Sequence, residues 1–242
     1  MAPTDQASVV YMEEATRTHS AAERNEGASY AEDTYELIER TSPVRSIGTS
    51  VPVTDEQLED VGQVAAYVDN RLRFGVRQRL DLQVLRGDGL SPNLRGITAA
   101  IGIQTQAKGA DPTFDAFHKA MTLVRVTGRA FPNAAIIHPT DWEEIRLTRT
   151  ADGIYIMGNP ADQGPMQLFG LPIVLSDAFA SSGTGLVGDF LNFCQLFEKR
   201  GIQVEVGYTG TQFAEGKRTI RASLRAAFVV YRPTAFCTVT GI

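Results

Sequence analysis

Six residues, Gly183-Thr184-Gly185-Leu186-Val187-Gly188, carry the G-x-G-x-x-G spacing of a dinucleotide site. There, glycines let backbone amides at a helix start approach a pyrophosphate. The setting here is wrong. No clean strand–helix–strand unit encloses the motif, and Glu205, near the spacing of a ribose-binding acid, falls in a predicted strand. A glycine-rich turn between strands is the better reading. A nucleophilic site would need His19, His118 or His138 beside a Ser or Cys with an orienting acid. The three histidines fall on three different elements, and the sequence has no G-x-S-x-G elbow. His138 follows a predicted buried strand and precedes a Pro-initiated helix, the place of a structural histidine. For metal, His118 has no ligand type at i+4 and neither Cys194 nor Cys237 neighbours a histidine. Asp88 in Gly87-Asp88-Gly89 is explained by turn geometry. Glu13-Glu14 and Glu143-Glu144 are adjacent pairs, and neighbours on a helix or strand point apart. No catalytic, metal-binding or cofactor-binding residue is assigned, and no cofactor is expected.

The chain around these residues has 242 residues and a formal charge of −5, with 43% hydrophobic and 21% charged residues. That is enough to bury a core, with a soft expectation of one to two domains. The mild acidity argues against a dedicated nucleic-acid binder. Its only lysines are Lys108, Lys119, Lys199 and Lys217. Two cysteines make no disulfide framework. No apolar run reaches the ~18 residues of a membrane span, and the first residues lack a signal-peptide pattern. The expectation is a soluble protein of a reducing cytoplasm, with no membrane partner.

From Glu13 to Glu39 charges are dense, large apolar residues few and lysine absent. The flanking runs, Val9–Met12 and Val44–Val53, are β-prone, so the region reads as a long two-stranded excursion with a polar tip. Such a hairpin has no core of its own, so something outside it must order it. Thr54-Asp55-Glu56-Gln57 is a capping-box pattern. Apolar residues then follow in steps of three and four at Leu58, Val61, Val64, Ala65, Val68, Leu72 and Val76, which predicts a helix over about 55–84. Arg71, Arg73, Arg77 and Arg79 scatter around it as a solvated surface. Gly87 and Gly89 end it, permitting positive φ. Further helices are predicted from Asp111-Pro112-Thr113 and over Pro139 to Leu147. Strands are predicted at Ala134–Ile137, Gly153–Met157, Leu171–Leu175, Leu186–Phe197, Ile202–Tyr208 and Thr219–Tyr231, with a loop from Gly158 to Pro165. The class is α+β.

The order of these pieces resembles the major capsid protein of tailed bacteriophages of the Hong Kong 97 type, whose fold encapsulins share. Val10-Tyr11-Met12-Glu13-Glu14 looks like the strand entering that family's E-loop. Residues 53–60 and Tyr67-Val68-Asp69-Asn70-Arg71-Leu72 look like the start of its spine helix, and Leu85 to Gly89 with Leu94-Arg95-Gly96-Ile97 like the turn after it. His138-Pro139-Thr140-Asp141-Trp142, Gly170 to Val174, Val187-Gly188-Asp189-Phe190 and Tyr231-Arg232-Pro233-Thr234-Ala235 match later signatures in order. The resemblance covers nearly the whole chain.

It implies a remnant of an N-arm at 1–8, an E-loop at 9–53, a P-domain with the spine helix at 54–129, an A-domain with a central mixed sheet at 130–225, and a return strand to the P-domain at 226–242. In the family an N-arm, often with a scaffolding segment that a protease removes, precedes the E-loop. The implied function is structural: many copies, as pentamers and hexamers, closing into an icosahedral shell around phage double-stranded DNA without sequence-specific binding. Scaffold, portal and decoration proteins are implied further partners, and the virion capsid, assembled in the bacterial cytoplasm, is the implied location. An encapsulin shell, and a hydrolase or nucleotide-binding enzyme resting on His138 or the Gly183 loop, are the alternatives. The E-loop reaches over a neighbouring subunit in the family, which makes Glu13, Glu14, Arg17, Tyr30, Glu32, Asp33, Arg40 and Arg45 candidate inter-subunit contacts. In the founding member a Lys joins an Asn in an isopeptide bond, helped by a Glu. Those positions fall here on Tyr30, Gly216 and Ser223, so a shell without that crosslink is expected.

Overall fold

Thr54 closes a strand and opens a helix with one side chain, its Oγ1 accepting the Gln57 backbone N–H at 3.4 Å. The capping role expected of it is present. The computed structural model describes residues 1–60, 62–150, 152–158, 166–179 and 183–242. In chain order the elements are β1 (Ala2–Pro3), β2 (Ser8–Arg17), β3 (Tyr35–Pro43), β4 (Arg45–Thr54), α1 (Asp55–Asp60), α2 (Gly62–Arg86), β5 (Gln104–Ala107), α3 (Thr113–Val126), β6 (Ala134–Ile137), α4 (Pro139–Leu147), β7 (Gln167–Leu168), β8 (Leu171–Leu175), β9 (Thr184–Gly188), β10 (Cys194–Gly207), β11 (Lys217–Val230) and β12 (Phe236–Thr240). They form two compact units, each built from three chain segments.

The first unit comprises Met1–Val9, Ser42–Gly96 and Leu196–Phe228. Here α2 packs on a four-stranded sheet of order β1-β10-β11-β4. The periodic helix positions Leu72, Val76 and Leu80 meet Ile220, Ala222, Leu224 and Ala226, alternate residues of β11, with Val53 and Leu94 completing the core. Each large side chain buried there contributes about 1.5–3 kcal/mol. β4 and β11 are antiparallel from Lys217↔Thr54 to Ala226↔Arg45. Val61 lies outside the described residues, as do the side chains of Val64 and Ala65. At the end of α2, buried Gln83 accepts the Leu94 N–H at 2.9 Å and donates to Asn93 at 3.0 Å. Asp88 accepts from Leu90 N–H and from Asn93 Nδ2, so its carboxylate serves the turn, as expected. Of the two glycines expected at positive φ, Gly89 takes it (78°), whereas Gly87 lies close against the Leu94 carbonyl.

The second unit comprises Val10–Thr41, Ile97–Gln195 and Val229–Ile242. Its sheet has six strands in the order β5-β12-β9-β6-β8-β7. The sheet is mixed. β12 runs parallel to β5 and β6 parallel to β8, while β9 is antiparallel to both β12 and β6. Ala116, Phe117, Ala120, Met121 and Val124 of α3 are buried, and α3 lies on β12, β5 and β9. Trp142 and Ile145 of α4 are buried as well.

Several sequence expectations change. Residues 184–188 are a central buried strand rather than a turn. Their glycines serve packing: a Cβ on Gly188 would sit 2.3 Å from Phe236 Cδ1, and one on Gly185 2.8 Å from Phe117 Cζ. The expected strand over Gly153–Met157 is a turn with one isolated bridge, Arg149↔Tyr155, and exposed Ile154 and Ile156. Among the described residues no sheet includes it. The expected loop from Gly158 lies at 159–165 outside the described residues. Leu186–Phe197 divides into the end of β9 and the start of β10 around Asp189, whose buried carboxylate accepts from Asn133 and Asn192. The partner of β2 is β3, not the 44–53 run, which joins the first unit's sheet. Each of the two units gathers segments that are distant in sequence. Pairing of β12 with β5 draws residues 97–129 and 229–242 together, and pairing of β11 with β4 draws 196–228 to the long helix.

Testable outcomes follow from this packing. Gly188→Ala should lose about 1–3 kcal/mol by overpacking against Phe236. Gly75→Ala in α2, where an added Cβ meets nothing within 4 Å, should gain about 0.5–1 kcal/mol; urea denaturation measures both. Burial pushes the Cys194 thiol up to about 12 and the Cys237 thiol up to about 11. Both stay protonated in the fold while the unfolded thiols ionise near ~8.5. Their contribution is therefore full below about pH 8.5 and fades as pH rises towards the folded values. The urea midpoint should fall on the alkaline side, and iodoacetamide at pH 8 should label neither thiol without denaturant.

Candidate assembly interface

β2 and β3 form a two-stranded sheet of their own within the second unit. β-branched and aromatic residues give both strands extended backbone, and period two divides their faces. The division is inverted. Glu13 is 4% exposed, while Val10, Met12, Tyr35 and Leu37 are 51–58% exposed. A carboxylate points in and an apolar strip points to solvent. The strip is invisible to composition because it is scattered through a charged stretch.

Both neighbouring carboxylates are met by arginines. Glu14 Oε2 accepts from Arg232 Nε at 3.0 Å and Nη2 at 2.6 Å. Its Oε1 lies 3.2 Å from Arg17 Nη1, and Arg17 Nη2 donates to the Gly128 carbonyl at 2.8 Å. Glu13 lies 3.5 Å from Arg40 of the opposite strand. Arg232 also lies over the Phe193 ring at 4.1 Å. The Glu14 N–H donates to the Tyr231 carbonyl at 2.9 Å. Tyr11 meets the Tyr231 ring edge to face at 6.0 Å, and the Tyr231 hydroxyl donates to Gln195 at 2.7 Å. Burial pushes the Tyr231 phenol up, with the neighbouring Cys194 adding to it. The acceptor for Arg17 is placed by Gly128 at the end of α3. A Cβ there would lie 2.3 Å from the Thr234 carbonyl, so only glycine lets the helix end reach the 231–235 turn.

Of the residues singled out as contacts, Glu13, Glu14, Arg17 and Arg40 thus have partners within their own chain. Tyr30, Glu32 and Asp33 are exposed in the loop between β2 and β3. Arg24 covers the Tyr30 ring at 4.1 Å and donates to Ala28 O at 2.5 Å, and Asp33 accepts the Ser20 N–H. Arg45 stands apart in β4, where it lines a shallow groove with Arg79, Gln83 and Asn93. Gly216 lies in the β10–β11 turn at φ 62°, its carbonyl accepting the Asp55 N–H. Ser223 is buried in β11 and accepts from Arg200 at 2.7 Å. The reading of single residues missed Arg232, Tyr231, Phe193 and Gly128. Their signal was the Tyr231-Arg232-Pro233 motif, which has no meaning without the strand it grips.

The residues considered for catalysis make contacts within the chain. His138 caps α4, its Nδ1 accepting the Thr140 N–H at 3.3 Å. Asp141, buried in the first turn of α4, accepts the Gly183 N–H at 2.8 Å. His118 lies edge to face with Phe169, and His19 with Tyr35. Among the described residues no three His, Cys, Asp or Glu side chains gather as a metal site.

Comparison with known proteins gives this arrangement a family. The profile of the phage capsid family matches residues 1–241. The major capsid protein of Enterobacteria phage HK97 is 30% identical over 227 residues, covering 93% of this chain and 59% of that protein. This chain thus spans 59% of that relative's length. Among solved structures, the capsid of an empty GTA particle superposes with a TM-score of 0.78 at 17% identity over 99% of this chain and 86% of that one. A structure from Microbacterium phage Oxtober96 superposes at 0.73 and 19% identity, over 98% and 87% of the two chains. Similarity at that identity reports the fold, and the fold is that of Hong Kong 97-type capsids, so the expected α+β class and recognition hold. Its sequence match over nearly its full length places the chain in the phage capsid family.

Proposed function

We propose that many copies of this chain, as pentamers and hexamers, assemble into the icosahedral shell of a tailed phage and enclose its double-stranded DNA. The observation that carries this reading is the inverted hairpin: an apolar strip of Val10, Met12, Tyr35 and Leu37 faces solvent on a two-stranded sheet without a core. A second copy covering that strip removes apolar surface from water, at about 25 cal/mol per Å². Single contacts of this size are weak, but a closed shell repeats them in every copy. The acidic balance of −5 suits a wall that does not trap packed DNA. In this reading the hairpin is the E-loop, the long-helix unit the P-domain and the six-stranded unit the A-domain. Glu32, Asp33 and Tyr30 at the loop tip, and Arg45, are inter-subunit contacts. Scaffold, portal and decoration proteins are its further partners, and the virion capsid, built in the host cytoplasm, is its place. The role is structural rather than enzymatic.

No covalent crosslink is proposed at the equivalent positions. An isopeptide bond needs an amine and a carboxamide. Tyr30 offers a phenol, Gly216 no side chain and Ser223 a buried hydroxyl.

Size-exclusion chromatography followed by negative-stain electron microscopy tests the assembly. Closed particles or capsomer rings are expected, and a species that stays monomeric at every concentration refutes the reading. Reducing SDS gels of the particles should show monomers only. Leu37→Asp with Met12→Asp should lower particle yield at least about tenfold, because the lost contact recurs in every copy. Melting of the unassembled chain should stay unchanged, since both side chains are exposed.

A further inference from the structure

Two motifs at opposite ends of the sequence grip each other. Val10-Tyr11-Met12-Glu13-Glu14 enters the hairpin and Tyr231-Arg232-Pro233 leaves β11. The second supplies a carbonyl, a guanidinium and a ring edge to the first. The Arg232 and Glu14 side chains are only 15% and 20% exposed. Arg232 is held from below by Phe193 and its neighbour Pro233 fixes the turn. The charge is therefore prearranged, and the strand comes to it.

We infer that Glu14 and Arg232 are positioning residues for assembly: their ion pair fixes the direction in which the hairpin leaves its unit. The inference rests on the assembly reading above. Beyond Arg17 the chain reaches the loop tip over a length of up to about 30 Å, at ~3.3 Å per residue. A swing of about 10° at the root then moves the tip by about 5 Å, more than the ~4 Å over which apolar side chains make contact. An error at this pair is amplified along the hairpin, so the pair decides whether the tip residues Tyr30, Glu32 and Asp33 meet another copy. Arg17 braces it from the other side, through Glu14 Oε1 and the Gly128 carbonyl.

Three variants of the full chain test this: Arg232→Met, which keeps an apolar stem over Phe193, Glu14→Gln, and the exchange Glu14→Arg with Arg232→Glu. Hydrogen exchange on the unassembled chain and particle yield by electron microscopy are the readouts. Either single variant should speed exchange across residues 8–17 about tenfold and cut closed particles at least tenfold. Exchange across 62–86 and 217–230 should not change. The exchanged pair should restore both hairpin protection and particles, which a loss of fold would not do. Wild-type particle yield from both single variants overturns the inference. So does exchange rising equally in the core segments, or an exchanged pair that restores nothing. If the wild-type chain builds no particles, the assembly reading fails by itself, and unchanged hairpin exchange in the variants then overturns the positioning role separately.

Discussion

A two-stranded sheet cannot bury a face of its own, and that constraint governs this molecule. Among the described residues β2 and β3 have no third strand beside them, so their order must come from outside the pair. At the root it comes from charge: Glu14 lies between Arg17 and Arg232, and Glu13 against Arg40. Exposed ion pairs contribute on the order of 0–1 kcal/mol. These are mostly shielded from water and share partners, and removing one member would leave the others unpaired at a higher cost. With those charges inside the root, Val10, Met12, Tyr35 and Leu37 stay outside.

The two units supply what the hairpin lacks. In each, a helix lies on a sheet, and the close contacts are made by small residues. Ala222 and Ala226 sit in the core beside Leu72, Val76 and Leu80 of the long helix. Gly185 and Gly188 give room to Phe117 and Phe236. Gly185 and Gly188 of the G-x-G-x-x-G spacing thus serve close packing against aromatic rings.

Helices were legible because their signals are local. The Thr54 cap, the three-and-four spacing to Val76 and the Pro139 start are written in adjacent residues. Strand partners were not. β3 hides in a charged stretch, because Tyr35, Leu37 and Ile38 alternate with glutamates, and its pairing with β2 spans a long loop. The 153–157 run has strand chemistry but makes an isolated bridge, Arg149↔Tyr155, instead of joining a sheet. The contact root was half legible: the carboxylates and Arg17 stood out by type, whereas Arg232 needs the fold, because more than two hundred residues of chain separate it from Glu14. Four of the residues expected at contacts between copies, Glu13, Glu14, Arg17 and Arg40, also have partners within the chain.

The placement of lysine has a practical consequence. All four lysines lie outside the hairpin: Lys119 pairs with Asp111, Lys217 with Glu215, Lys199 donates to the Asp5 and Gln6 carbonyls, and Lys108 borders an open groove beside α3. Amine-directed reagents therefore have no side-chain target between residues 10 and 41. Dyes, affinity handles or polymers attached through lysine would load the two packed units and leave the apolar strip chemically bare.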